Sequence, residues 1–137
     1  MTKIVATLTC LVALATGAFA GEYPDLSLKE LKKAIADKKV TVVDVNGSAS
    51  YKKGHIPGAI DFSATSDFAK ALPKDKKALV VAYCGGPSCK AYQKAATAAE
   101  KLGYTNVKHL SIGISGWLQA GEKTEKAKAE EKKEKKA

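Results

Sequence analysis

The chain has 137 residues, enough for one ordinary domain and too few for two. With 45% hydrophobic and 27% charged residues it has a globular composition, which excludes a disordered or fibrous chain. The net charge is +9 and every basic residue is lysine, which excludes any mechanism that needs a bidentate guanidinium fork.

Residues 1–20 read as a secretory signal. Lys3 supplies the positive start, residues 4–17 carry no charge, and Ala18-Phe19-Ala20 offers a small-x-small cleavage site. The apolar run is shorter than the roughly 20 residues of a membrane helix, and Glu22 and Asp25 follow at once. Export to the periplasm or beyond is expected, with cleavage after Ala20. Cys10 departs with the signal, and Thr7 and Thr9 before it do not suit a lipobox. The mature chain keeps only Cys84 and Cys89.

Residues 21–121 form the expected domain. Ser27-Leu28-Lys29-Glu30 is a capping box, and Leu28, Leu31, Ala34 and Ile35 share one helical face. Residues 40–45 follow as a β-branched strand whose near-continuous apolar character suits cover on both faces. Residues 49–53 are expected as a short helix, broken by Gly54 to Gly58 around Pro57. Residues 59–62 read as a strand, and residues 65–72 as a helix stopped by Pro73. Residues 78–83 are the central strand and run into Cys84-Gly85-Gly86-Pro87-Ser88-Cys89. From Ser88 to Leu102 apolar residues recur at helical spacing, with Gly103 as the residue after the C-cap. Residues 107–110 form a further strand, and residues 113–120 a last short helix carrying Trp117. This alternation predicts an α/β domain with a parallel sheet of about five strands and helices on both faces.

Residues 122–137 contain only Glu, Lys, Ala and one Thr, and cannot bury enough apolar surface to fold alone. A solvated, transiently helical tail is expected, at most touching anionic surfaces weakly. Nucleic acid is not an expected partner, because arginine and any recognisable binding module are absent and export removes the ligand.

In an open α/β sheet, ligands bind beyond the C-terminal ends of the strands. Cys84 lies there, followed by two glycines that let the backbone curl and aim its amides into one small space. A following helix N-terminus and Lys90 add positive potential, which favours a thiolate at Cys84 and nucleophilic chemistry. Asp44, at the end of its strand, is expected to accept loop amides near this site. His55 in its Gly-Pro turn and Trp117 on its short helix are expected to be structural. No metal is expected: the two cysteines lack the usual zinc spacing, and only His55 and His109 could add nitrogen ligands.

Three stretches together resemble the rhodanese family of single-domain sulfurtransferases. They are residues 42–45 with residues 51–60, the loop from Tyr83 to Cys89, and residues 103–117 ending in Gly113-Ile114-Ser115-Gly116-Trp117. The resemblance covers about residues 26–121. It implies that Cys84 takes sulfane sulfur from a small donor such as thiosulfate and holds it as a persulfide. Amides of Gly85, Gly86, Ser88, Cys89 and Lys90 would cradle that anion. A thiol, cyanide or a protein acceptor would then remove the sulfur, without metal or organic cofactor. Where family members often carry arginine, this chain has Asn46, Gly85 and Cys89, which leaves Lys90 as the electrostatic substitute. Two readings from other classes stay beside this one, a non-catalytic sulfur carrier and a dithiol redox protein using Cys84 and Cys89.

Cys89 itself has two readings. It resolves the persulfide or pairs reversibly with Cys84, or it is a small residue in the first helical turn that never meets Cys84. A residue donating its amide inward often turns its side chain outward, which favours Cys89 as a modulator rather than an essential residue.

Export generates a direct prediction. N-terminal sequencing of the exported protein should begin at Gly21, and a chain still beginning at Met1 would refute the cleavage.

Overall fold

The computed structural model describes residues 22–127. The signal segment, Cys10 and tail residues 128–137 lie outside the described residues. In chain order the elements are α1 (Leu28–Ala36), β1 (Val40–Asp44), α2 (Ser48–Lys53), β2 (Ile60–Asp61) and α3 (Phe68–Ala71). They continue with β3 (Leu79–Tyr83), α4 (Tyr92–Lys101), β4 (Val107–His109) and α5 (Gly113–Gln119). All strand pairs are parallel, in the order β2-β1-β3-β4.

Local chemistry places the helix ends. Ser27 accepts the Glu30 amide while the Glu30 carboxylate accepts the Ser27 amide, so the expected capping box starts α1. The Asp61 carboxylate accepts the amides of Ser63 and Ala64, which holds a turn where helix was expected from residue 65. Asp67 then caps α3 through the Lys70 amide. At the end of α4 the amide of Tyr104 reaches Ala99 O and that of Gly103 reaches Glu100 O, a Schellman arrangement. Gly103 takes the left-handed φ of 93° that this ending requires. The helix thus stops before Leu102, whose side chain is exposed rather than on the apolar face.

The sheet has four strands among the described residues, not about five. A fifth segment lies along β4 only as one parallel bridge, Asp25 to His109. Pro24 has no amide to donate and Ser27 already begins the cap of α1, so the pairing cannot lengthen.

Alternation along the strands divides the core into two layers. Val43, Val80, Ala82 and Val107 pack with Ala95, Ala96 and Ala99 of α4. Val42, Val81 and Tyr83 face the other way, against Leu31 of α1, Ile56, Leu110 and Trp117 of α5. The helices therefore cover both faces of the sheet.

The domain also extends beyond residue 121, which corrects the expected tail boundary. Glu125 and His55 exchange backbone hydrogen bonds, each 2.9 Å, as an antiparallel bridge. The Trp117 indole N–H donates to Lys123 O at 2.9 Å, and Lys32 pairs with Glu122. Side-chain composition suggested a solvated tail, but a buried indole N–H and the His55 peptide both need partners. Residues 122–127 supply them through their backbone.

A buried polar chain ties the two central strands to the loop after α2. The register places Asp44 beside Tyr83, and the Tyr83 hydroxyl donates to the Asp44 carboxylate while accepting the Ile56 amide at 3.0 Å. Burial first, then the bond to Asp44 and its charge, hold the phenol far above its ordinary pKa. Tyr83→Phe leaves a buried carboxylate and a buried amide short of a partner. It should cost about 2–4 kcal/mol in urea denaturation, whereas Tyr83→Phe stability equal to wild type would refute this role.

Candidate active site

Cys84 is the first residue beyond β3, and 2% of it is exposed. It lies in the same core layer as Val80 and Ala82, on the α4 side. The backbone after it is tied to α5: Ile114 N–H donates to Cys84 O and Ser115 N–H to Gly85 O, each at 2.9 Å. The Ser115 hydroxyl also donates to Gly85 O, at 2.6 Å. In a trans peptide the C=O and N–H point in opposite directions. Carbonyls directed at α5 therefore turn the amides of Gly85 and Gly86 away from it, toward the inside of the loop. Among the described residues, the amides of Gly85, Gly86, Ser88 and Lys90 donate to no other group.

The Cys89 amide is not among them. It donates to Gly86 O at 3.0 Å and closes a turn inside the loop. Its side chain is turned toward Cys84 rather than outward. Cys84 and Cys89 form a disulfide with Cα atoms 6.2 Å apart, inside the roughly 4.4–6.8 Å that such a bond spans. The loop runs on to Ala91, and α4 begins at Tyr92 rather than near Ser88.

Asp44 stands on the opposite face of the sheet from the sulfur. Its carboxylate accepts one loop amide, that of Asn46 at 2.7 Å, and the Tyr83 hydroxyl. It therefore shapes the end of β1 and does not reach the cysteine loop. His55 is buried, with its ring stacked on Tyr51 at 3.7 Å and Nδ1 at 2.9 Å from Tyr51 O. Trp117 is likewise core. Lys90 is exposed at the loop's edge and is in no ion pair among the described residues. No group of three or more His, Cys, Asp or Glu residues is placed to hold a metal among the described residues.

A cleft of about 290 Å³ opens beside the disulfide, lined by Cys84, Gly86, Cys89, Lys90, Tyr92 and His109 among others. Its size suits a small donor rather than a bulky ligand. Tyr92 and His109 stack at 4.2 Å and wall one side, and the buried His109 Nδ1 has no partner among the described residues. The sequence considered His109 only as a metal ligand. Its place as the last residue of β4 was the available signal, since that is where ligands meet such sheets.

Gly113 was the other residue not singled out. Its φ is +57°, and a Cβ there would lie 2.5 Å from Cys84 O and 2.6 Å from Gly86 N. The start of α5 thus presses backbone to backbone on the cysteine loop, and only glycine leaves room.

Residues 27–120 match the Rhodanese-like domain family. The chain belongs to that family. It is 30% identical over 100 residues to thiosulfate sulfurtransferase GlpE of Shewanella oneidensis, covering 72% of this chain and 95% of that protein. An HTH-type transcriptional regulator of Mycobacterium tuberculosis is 34% identical over 113 residues, which is 80% of this chain. The chain spans only 49% of that regulator's length. The BH2092 protein from Bacillus halodurans has a similar structure, with a TM-score of 0.66 at 31% identity. That match covers 76% of this chain and 77% of the other.

In this rhodanese-like domain, Gly113 is what lets α5 approach the backbone of the cysteine loop. Gly113→Ala should destabilise the fold by about 2 kcal/mol or more. A variant with wild-type thermal stability would refute the contact.

Proposed function

We propose that the protein is a sulfurtransferase in which Cys84 carries sulfane sulfur as a persulfide. The observation that carries this reading is the placement of Cys84 beyond β3 with the Gly85 and Gly86 amides turned into its loop. The reduced Cys84 thiolate attacks the sulfane sulfur of a small anionic donor such as thiosulfate. The donor's S–S bond breaks, and sulfite leaves with the electron pair. The inward amides and Lys90 stabilise the anion that remains on Cys84. A thiophilic nucleophile then takes the outer sulfur and frees the thiolate: cyanide gives thiocyanate, and a thiol gives a new persulfide. The family match and the likeness to a thiosulfate sulfurtransferase support this assignment. The signal-like residues 1–20 support a periplasmic or extracellular site of action.

The disulfide favours a second reading, a dithiol redox protein that exchanges electrons at Cys84 and Cys89 without handling sulfur. A sulfur carrier that serves only a protein acceptor is the third. Turnover separates the three, because only a sulfurtransferase forms thiocyanate continuously from thiosulfate and cyanide.

Pre-reduced protein should form thiocyanate from thiosulfate and cyanide, and Cys84→Ser should abolish it with an unchanged far-ultraviolet circular dichroism spectrum. Thiocyanate formation that survives in Cys84→Ser would overturn the assignment.

A further inference from the structure

We infer that Cys89 is an internal acceptor, which discharges the Cys84 persulfide as hydrosulfide and leaves the Cys84–Cys89 disulfide as the product. The inference rests on the persulfide reading above and adds a second activity to it, the reduction of sulfane sulfur to sulfide.

A persulfide offers a nucleophile two sulfurs. Attack on the outer sulfur only moves it to another carrier. Attack on the inner sulfur, the Cys84 Sγ, expels the outer one as hydrosulfide. Cys84 is 2% exposed, so an external thiol is held away from the inner sulfur and meets the outer one first. Cys89 is under no such restriction. The loop already brings its sulfur into bonding contact with the Cys84 Sγ, with the Cα atoms 6.2 Å apart. Its amide, bonded to Gly86 O at 3.0 Å, holds that part of the backbone. The product of inner attack is therefore a bond this fold accommodates.

The step balances without any further oxidant. The Cys89 thiolate forms a bond to the Cys84 Sγ while the bond from that sulfur to the sulfane sulfur breaks. The leaving sulfur takes the electron pair and departs as hydrosulfide, the weaker base and better leaving group. The proton lost from the Cys89 thiol passes to the outer sulfur of the persulfide anion, so that hydrosulfide rather than S²⁻ departs. The sulfane sulfur is reduced by two electrons, and the two cysteine thiols supply them by becoming a disulfide. A further cycle needs a dithiol reductant to reopen that bond.

The test is a single turnover without oxygen. Fully reduced protein, freed of reductant, is mixed with thiosulfate alone; sulfite, sulfide and the intact protein mass are then measured. Wild type should release sulfite and sulfide equally, about one of each per chain, and end two hydrogens lighter with no sulfur retained. Cys89→Ser and Cys89→Ala should still release sulfite but lose the sulfide, and end heavier by one sulfur. Sulfite release also reports that each variant is folded. If wild type releases sulfite but keeps the sulfur, the inference fails and the transferase reading stands. Sulfide release undiminished in both Cys89 variants also overturns the inference. If wild type releases no sulfite, loading itself fails, and both readings fall together.

Discussion

Tyr83 and Cys84 follow one another at the end of β3, and the pleat sends their side chains to opposite faces of the sheet. The rest of the site depends on that alternation. On one face the phenol is bound to Asp44 and Ile56, out of reach of water. On the other the sulfur meets Cys89 and the cleft beside α4. A slip of one residue in the β1–β3 register would exchange the two faces. It would bury the sulfur beneath α5 and lay the phenol in the cleft. The Tyr83–Asp44 bond, made between register partners, opposes that slip. A buried carboxylate on the opposite face of the sheet thereby helps to fix where Cys84 stands.

Electrostatics at the loop come from backbone more than from side chains. With no arginine in the chain, positive potential near Cys84 comes from the inward amides of Gly85 and Gly86 and from Lys90 at the edge. Amides held in place need no reorganisation when an anion forms, whereas an exposed lysine is screened by water. Holding them is the task of α5, which accepts no side chain between itself and the loop at Gly113. The same tight curl that directs amides inward also shortens the path from residue 84 to residue 89. The direction of those amides and the disulfide are thus two consequences of one backbone shape.

The segment 122–127 closes the opposite side of the domain. It pairs with His55, covers the indole N–H of Trp117 and places the Glu125 carboxylate at 3.0 Å from the Gly58 amide. The contacts to His55 and Gly58 fall on the loop that also supplies Ile56 to Tyr83. Residues with almost no apolar surface thereby buttress the polar chain behind Cys84. They act through main-chain groups, which every sequence carries.

Much of this was legible in the sequence because it is local. The capping box at Ser27, the apolar run of β3, the glycine pair after Cys84 and the helix stop at Gly103 each depend on neighbours within a few positions. The alternation of strands and helices determined the α/β class, and three separated motifs pointed to the rhodanese family. What the sequence left open depends on groups brought together from far apart. The role of Asp44 was decided by its register against Tyr83, and the importance of Gly113 by its contact with a loop from another part of the chain. The docking of residues 122–127 was decided by the peptide groups of His55 and an indole N–H, neither visible in composition. For Cys89 the spacing allowed either orientation, and the folded loop decided it: a turn closed by the Cys89 amide on Gly86 O shortens the path back, and the sulfur meets that of Cys84.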